Sequence, residues 1–423
     1  MKQVNYKYSH VNRLIKLLAL FLALLLPGKL ISQKLAKNTT TSQQKLSPTD
    51  KKEADEQQIT LEPFEFNAVI QGGLLQNFSG GIKTGSDYMS RVHLTLSFDT
   101  EKAGLWKGGK LFINGTNAHG GTPTSTLIGD FQPISRNEAT ERTGLFELWY
   151  QQTIGNTSIL IGQHDMNSSF GTSNYAGLSI NSAFGMYPSI TPNTGFAFSI
   201  FPRTMPAVYV KHEMKKFTIQ AAAYSGASEN FAEDRYNLKW NLDDSRFMVG
   251  EIHYKNIKNG IQKGLYKLGV INHSGDFINV TDLSGNTTAK AGTGLYVIAD
   301  HLILQENENS DQGLGLFFEW GAAPGNHNLI DRFMAGGLVY KGLIRNRNED
   351  KLFLGILSSS INNDIPEGSS YDEKARTIIE LNYALRLGDH FTLQPDLQYI
   401  INPGATSAMK DAFLGVFRFS INF

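Results

Sequence analysis

The chain has 423 residues, with 39 Lys+Arg against 39 Asp+Glu, 41 Gly, 13 Pro and no Cys. Zero Cys excludes disulfides, Cys-ligated zinc, thiol nucleophiles and iron–sulfur clusters, and the balanced charge argues against a nucleic-acid binder. A hydrophobic fraction of 41% argues against disorder, and 41 Gly combined with 26 Phe and 16 Tyr leans toward a strand-rich protein.

The first segment reads as an export signal. Lys2, Lys7, Arg13 and Lys16 form a basic region ahead of the apolar run Leu17–Leu26 (LLALFLALLL). Ten apolar residues fall short of the roughly 20 that a spanning helix needs but suit the centre of a secretory signal, with cleavage expected after Ser32. An N-terminal membrane anchor is the competing reading, and a lipid-modified cysteine is excluded. Removing the five Lys/Arg of residues 1–32 leaves 34 basic against 39 acidic residues, a net charge of −5. Residues 33–62 are polar, rich in Lys, Gln and Thr, and free of aromatics, as expected of a solvated periplasmic linker or tail.

From Pro63 onward the pattern changes to strands. Phe64, Phe66, Ala68 and Ile70 alternate with polar neighbours, and so do Val92, Leu94, Leu96 and Phe98. Ile379, Leu381, Tyr383 and Leu385 repeat the period, followed by Phe391, Leu393, Pro395, Leu397 and Tyr399. The chain closes with Phe413, Gly415, Phe417, Phe419, Ile421 and Phe423 on one face and Leu414, Val416, Arg418, Ser420 and Asn422 on the other. Successive strand side chains point to opposite faces, and alternation in segments of about ten residues separated by turns is the outer-membrane barrel pattern. Ser79-Gly80-Gly81, Asn259-Gly260, Ser284-Gly285-Asn286 and Gly388-Asp389 supply turns. Residues 63–423 at about 22 residues per strand and turn predict about 16 strands, enough to enclose an aqueous lumen. The predicted fold class is therefore all-β, a transmembrane antiparallel β-barrel. A soluble sandwich with one wet face fits the alternation alone. The export signal, the terminal Phe and the single continuous array favour the barrel.

Longer stretches carry a resemblance. Residues 126–132 (TLIGDFQ), 134–151 (ISRNEATERTGLFELWYQ), 159–170 (ILIGQHDMNSSF), 181–188 (NSAFGMYP), 391–404 (FTLQPDLQYIINPG) and 411–423 (DAFLGVFRFSINF) occur in that order. Together they resemble the carbohydrate-selective porin family (OprB type) of Gram-negative outer membranes, over nearly all of Phe64–Phe423. The resemblance implies a 16-stranded barrel whose lumen favours sugars. Arg136, where the family more often has Asn, and the stretch Phe201–Val210 depart from the family pattern.

A sugar channel needs hydrogen-bonding groups that replace water, aromatic faces for the apolar side of the ring, and weak binding. Glu147, Trp149 and Gln151 share one strand face opposite Phe146, Leu148 and Tyr150, and are expected in the lumen, although Trp149 also suits an interfacial girdle. Continuing the alternation places Gln163, Asp165 and Asn167 on one face, with Asp165 as a sugar contact or a lumen ion pair. Gln394, Asp396, Gln398 and Arg418 are inward by the same rule. Arg203 lies in a stretch broken by Pro188, Pro192, Pro202 and Pro206, either a loop folded into the lumen or an external one.

Other chemistries find little support. Gly104–Lys110 matches GxxxxGK, but Leu111 replaces the required Ser/Thr and a strand follows. The ten His occur singly, so neither metal nor cofactor is expected, and no nucleophile elbow is present. The sequence points to a non-enzymatic porin for passive diffusion of mono- or oligosaccharides. A general or differently selective porin is the alternative; a secreted glycan-acting enzyme and a soluble glycan-binding module are the remaining ones. Expected partners are outer-membrane lipid, the barrel-assembly machinery through the strand ending at Phe423, and further copies of the chain.

Overall fold

The alternation converts into strands throughout the C-terminal 360 residues. The computed structural model describes residues 63–185, 187, 189–190, 193, 198–226, 234–240, 242, 245–290, 292–307 and 310–423. The signal and linker expected over residues 1–62, and Pro188 and Pro192, lie outside the described residues.

The strands are β1 (Phe64–Gly81), β2 (Gly85–Asp99), β3 (Gly109–Gly120), β4 (Arg142–Ile154), β5 (Thr157–His164), β6 (Met205–Glu213), β7 (Phe217–Ser225), β8 (Arg246–Lys258) and β9 (Ile261–His273). They continue as β10 (Asp276–Ile278), β11 (Thr288–Lys290), β12 (Thr293–Gln305), β13 (Gly313–Ala322), β14 (Ile330–Lys341), β15 (Lys351–Ile361), β16 (Ala375–Leu387), β17 (Phe391–Ile401) and β18 (Lys410–Asn422). Each barrel strand pairs antiparallel with the next barrel strand along the chain, β9 with β12 included, and β1 pairs with β18 to close the barrel. Among the described residues this makes 16 barrel strands. Strands β10 and β11 form a separate hairpin in the connection between β9 and β12. Closure leaves the barrel without an open sheet edge, which lipid demands. The end of the chain completes the seam: the Phe423 amide donates to Ala68 O at 2.9 Å.

The outward face is apolar. Phe66, Leu94, Ile161, Leu268, Met334, Ile356 and Phe417 are all exposed, as a lipid-facing band requires. At one end the strands are joined by short turns such as 155–156, 214–216, 259–260 and 388–390. At the Asn259-Gly260 hairpin both residues have positive φ, 51° and 77°, the twist that matches the flanking strands. The opposite end carries most of the long connections, notably 121–141 and 165–204. These are called the turn end and the loop end below.

The apolar core sits inside the barrel. Phe170, Ile180, Phe184 and Tyr187 of the 165–204 connection pack with the wall residues Phe317, Phe333 and Phe353 in one buried cluster. Phe184 meets Phe353 edge-on, centroids 5.6 Å apart at 90°. This explains why Leu414 and Val416, on the inward face of β18, are apolar: both are buried in the same cluster.

The 121–141 connection is held by a buried ion pair. Arg376 on β16 donates to Asp130 Oδ2 at 2.9 Å and Gln132 Oε1 at 2.7 Å, and its guanidinium lies 4.4 Å from the Phe131 ring centroid. Both charged side chains are fully buried. Removing one partner strands the other charge in the interior. Arg376→Met is therefore expected to destabilise the folded barrel by about 3–5 kcal/mol, read as denaturant unfolding from lipid vesicles. Asp130→Asn added to Arg376→Met recovers part of that loss.

Candidate functional site

Strand β5 ends at His164 and β6 begins at Met205, so the intervening chain leaves the wall and crosses the interior. Its sequence, rich in Ser, Asn and Gly (NSSFGTSNYAGLSINSAFG), offers closely spaced backbone amides and hydroxyls. Wall carboxylates accept them. Glu251 on β8 takes the Gly171 amide at 2.6 Å. Asp300 on β12 takes the Ser173 hydroxyl at 2.5 Å and the Asn174 amide at 2.7 Å. Glu380 on β16 takes the Ser179 hydroxyl and the Ile180 amide, each at 2.6 Å, and the Asn181 amide at 3.1 Å. Leaving one of these buried donors unpaired would cost about 1–3 kcal/mol, so these clamps fix the connection across the lumen.

The 121–141 connection docks on the same segment. The Arg136 guanidinium donates to Ala176 O at 3.1 Å and Gly177 O at 3.2 Å, and its amide donates to Ile180 O at 3.0 Å. Ser182 donates its hydroxyl to Pro133 O at 2.5 Å. Together the two connections narrow the lumen and leave a cavity of about 560 Å³ beside them.

Charges of both signs line that cavity. Arg91, Arg136 and Arg203 share the lining with Glu138, Glu147 and Asp165, together with Asn167, Asn114 and the rings of His93, Phe146 and Phe201. Arg91 donates to Gln71 Oε1 at 2.7 Å and lies 4.9 Å from the Phe201 centroid. Glu147 is held by Asn114 Nδ2, Trp149 Nε1 and the Asp165 amide, each at 3.2 Å. The Asp165 side chain caps the turn Met166–Ser168 by accepting the Asn167 amide at 3.0 Å. Burial, reinforced by the charge of Glu147, pushes the Asp165 carboxyl up to about 8, against the pull of the Asn167 amide and Arg91. Burial likewise raises Glu138 to about 7, although Thr124 hydrogen-bonds it.

The residues singled out from sequence separate into four groups. Glu147, Asp165, Asn167 and Arg203 line the cavity. Arg203 does so because the stretch before β6 is folded inward; Pro206 falls in β6 itself, ahead of the residues that pair with β7. Trp149 is inward, stacked on Phe112 at 4.8 Å, and acts on the cavity through Glu147. Gln151 shares its face nearer the turn end, donating to Thr153 Oγ1 at 3.3 Å.

Gln394, Asp396, Gln398 and Arg418 are inward but bonded to the structure around them. Gln398 donates to Ile134 O at 3.2 Å and Asp396 Oδ1 at 2.9 Å, and accepts from Asn181. Gln394 donates to Leu178 O at 2.8 Å and accepts from Arg418 Nε at 3.1 Å.

Gln163 is a correction. It falls on the outward parity with Ile159 and Ile161 and pairs with Leu148 and Pro206. It is nevertheless buried, because residues 234–240 cover it: its amide donates to Asn237 O at 3.3 Å and its Oε1 accepts from Trp240 Nε1 at 3.0 Å. The alternation does not carry from Gln163 to Asp165 because the strand ends at His164. Phe146 also departs from its expected lipid face. A bulge leaves it without a partner between Gly115–Leu145 and Asn114–Glu147, turning it inward beside Glu147.

Arg91 and His93 were legible but incompletely read. His93 belongs to the inward set of β2, and continuing the alternation back by two residues reaches Arg91. Arg136 and Glu138 had no local signal, since nothing near them in sequence shows that their connection turns inward.

A closed 16-stranded barrel, narrowed by two inward connections around a charged, wet cavity, defines a channel-forming membrane protein. Residues 83–423 match the family described as carbohydrate-selective porin, OprB family, and the chain belongs to that family of outer-membrane channels. It is 23% identical over 399 residues to Porin B of Pseudomonas aeruginosa, covering 83% of this chain and 86% of that protein. The fold is similar to the high-pH structure of OprB from Pseudomonas putida, with TM-score 0.78, 20% identity, and coverage of 85% of this chain and 94% of that one. It is also similar to the outer-membrane channel DcaP of Acinetobacter baumannii, with TM-score 0.50, 11% identity, and coverage of 85% and 97%.

A carboxyl with a raised pKa is neutral below that value and charged above it. Cation-over-anion permeability should therefore rise between about pH 6 and about pH 9 as Glu138 and then Asp165 ionise. Reversal potentials across a salt gradient measure it. The rise should shrink in Asp165→Asn and vanish in Asp165→Asn/Glu138→Gln.

Proposed function

We propose that the protein carries small sugars across the outer membrane by passive diffusion, with weak binding in the cavity bounded by Arg91, Arg136, Glu147, Asp165 and Arg203. The observation that carries this reading is the mixed lining of that cavity, which combines guanidinium donors, carboxyl acceptors and the adjacent rings of Phe146 and Phe201. A sugar hydroxyl entering it exchanges water for fixed partners, and the apolar C–H face of the ring meets an aromatic surface. Opposed guanidinium and carboxylate groups favour neutral polar solutes over apolar ones, and the open lumen lets the bound solute leave. Arg136 narrows the passage by locking the two inward connections together; Asn167 holds Gly185 O at 2.7 Å and presents its amide to the solute.

The surrounding assignments follow the same reading. Residues 1–32 direct export and residues 33–62 form a periplasmic linker ahead of the barrel. With both ends of the barrel sequence at the turn end, that end faces the periplasm and the long connections face outward. The Phe-rich strand β18, ending at Phe423, is the segment offered to the barrel-assembly machinery, and the outward apolar band meets lipid.

The test is single-channel conductance of the refolded, detergent-extracted protein in a planar bilayer, titrated with glucose, a disaccharide and a charged solute of similar size. Stepwise conductance with saturable sugar block is expected. Glu147→Gln should weaken the block about tenfold, the loss of one charged hydrogen bond. Conductance without sugar block would overturn the selectivity and leave a general channel. A stronger block by a small anion than by glucose would assign the arginines to anion selection.

A further inference from the structure

The same inward connection has a second side. The Arg136 guanidinium binds Ala176 O and Gly177 O from the large cavity, while Tyr175 and Leu178 border a separate cavity of about 230 Å³ toward the turn end. Its opposite wall comes from the turn-end portions of β9, β12, β13, β14 and β15.

Three features of this cavity are unlike ordinary barrel wall. First, the Tyr175 ring lies against Gly315 of β13, where a Cβ would stand only 2.4 Å from Tyr175 Cζ. The missing side chain lets the ring approach the wall closely. Second, three lysines converge there: Lys263, Lys341 and Lys351. Lys341 is committed, lying 2.9 Å from Asp311 and 3.1 Å from Glu349. Lys263 and Lys351 make neither an ion pair nor a hydrogen bond among the described residues. Third, the carboxylates of the lining are engaged: Asp300 accepts from Ser173 and Asn174, and Asp311 pairs with Lys341. Lys263 and Lys351 are left as two ammonium groups without a direct ion partner beside an aromatic ring.

We propose that this cavity is a second solute site, placed on the periplasmic side of the constriction, for monosaccharides that bear a carboxylate, such as aldonates and uronates. The carboxylate sits between Lys263 and Lys351, and the C–H face of the sugar rests on Tyr175. An ammonium on a four-carbon stem binds a carboxylate as a point charge, which suits retention brief enough for release. The mixed-charge cavity passes neutral sugars; the second cavity holds sugar acids longer. This inference rests on the channel reading above and extends it to a further solute class.

The experiment uses the full chain in a planar bilayer, with solute added to one side at a time. Orientation is read from an Asp389→Cys reporter in the turn 388–390: the native chain has no Cys, so an impermeant thiol reagent marks the turn end. Glucuronate added at the turn end should block at a concentration at least tenfold below that of glucose added there. Lys263→Gln/Lys351→Gln should bring the two blocking concentrations together. Two results overturn the proposal: glucuronate blocking no better than glucose from the turn end, or its advantage surviving in the double variant. Acetate blocking as well as glucuronate overturns the sugar-acid class, because a bare carboxylate would then suffice. Glucose block from the loop end reads the first cavity, so its absence overturns the sugar-channel reading separately.

Discussion

Carboxylates on the barrel wall, accepting backbone amides of one inward connection, hold the channel in its working shape. Glu251, Asp300 and Glu380 stand on three different strands and together grip residues 171–181. Glu147 holds the start of the same connection through the Asp165 amide. A loop crossing a lumen needs partners for its amides, since an unpaired buried donor is costly. The wall supplies carboxyl oxygens, each able to accept more than one of these donors. The passage keeps a defined width because the connection cannot slide without breaking several of these bonds at once.

That arrangement divides the interior by chemistry. Where the connection turns its Phe and Ile side chains to β13, β14 and β15, an apolar core fills the space and excludes water. Where it meets β2, β3 and β4, a cavity remains, to which the connection brings Asp165, Asn167 and Arg203 beside Phe198, Ile200, Phe201 and Pro202. The two halves depend on each other: the packed half supplies rigidity, and the open half presents guanidinium and carboxylate groups at fixed separation. Arg136 joins them. Its side chain spans from the 121–141 connection to the carbonyls of residues 176 and 177.

Several inward residues show how one side-chain type takes different roles at different depths. Gln394 and Gln398 spend their amides on Leu178 O and Ile134 O, carbonyls of the inward connections. Gln151 faces the same lumen nearer the turn end, where no such connection reaches it through a hydrogen bond given by its amide. Gln163 seals the outer wall beneath residues 234–240. Parity along a strand states which side a residue faces, but the partner it meets there depends on which distant segment arrives.

The barrel was written in the sequence, because a strand between lipid and water must alternate and a closed array must repeat that alternation. Leu94, Leu96, Ile379, Tyr399 and Phe417 point outward as their period requires. The positive-φ turn at Asn259-Gly260 was legible for a local reason as well: backbone conformations of that kind favour those residues. The constriction was not. Glu380 meets Ile180 across 200 residues of chain, and no period or spacing encodes a contact of that range. The bulge that turns Phe146 inward and the end of β5 that frees Asp165 interrupt the very alternation from which faces are read. The sequence by itself determined a barrel and the side a strand residue faces wherever the alternation runs unbroken, since these follow from local geometry and solvent contrast. Only the tertiary structure decided which inward residues stay open to solute, because that depends on where two connections come to rest inside the wall.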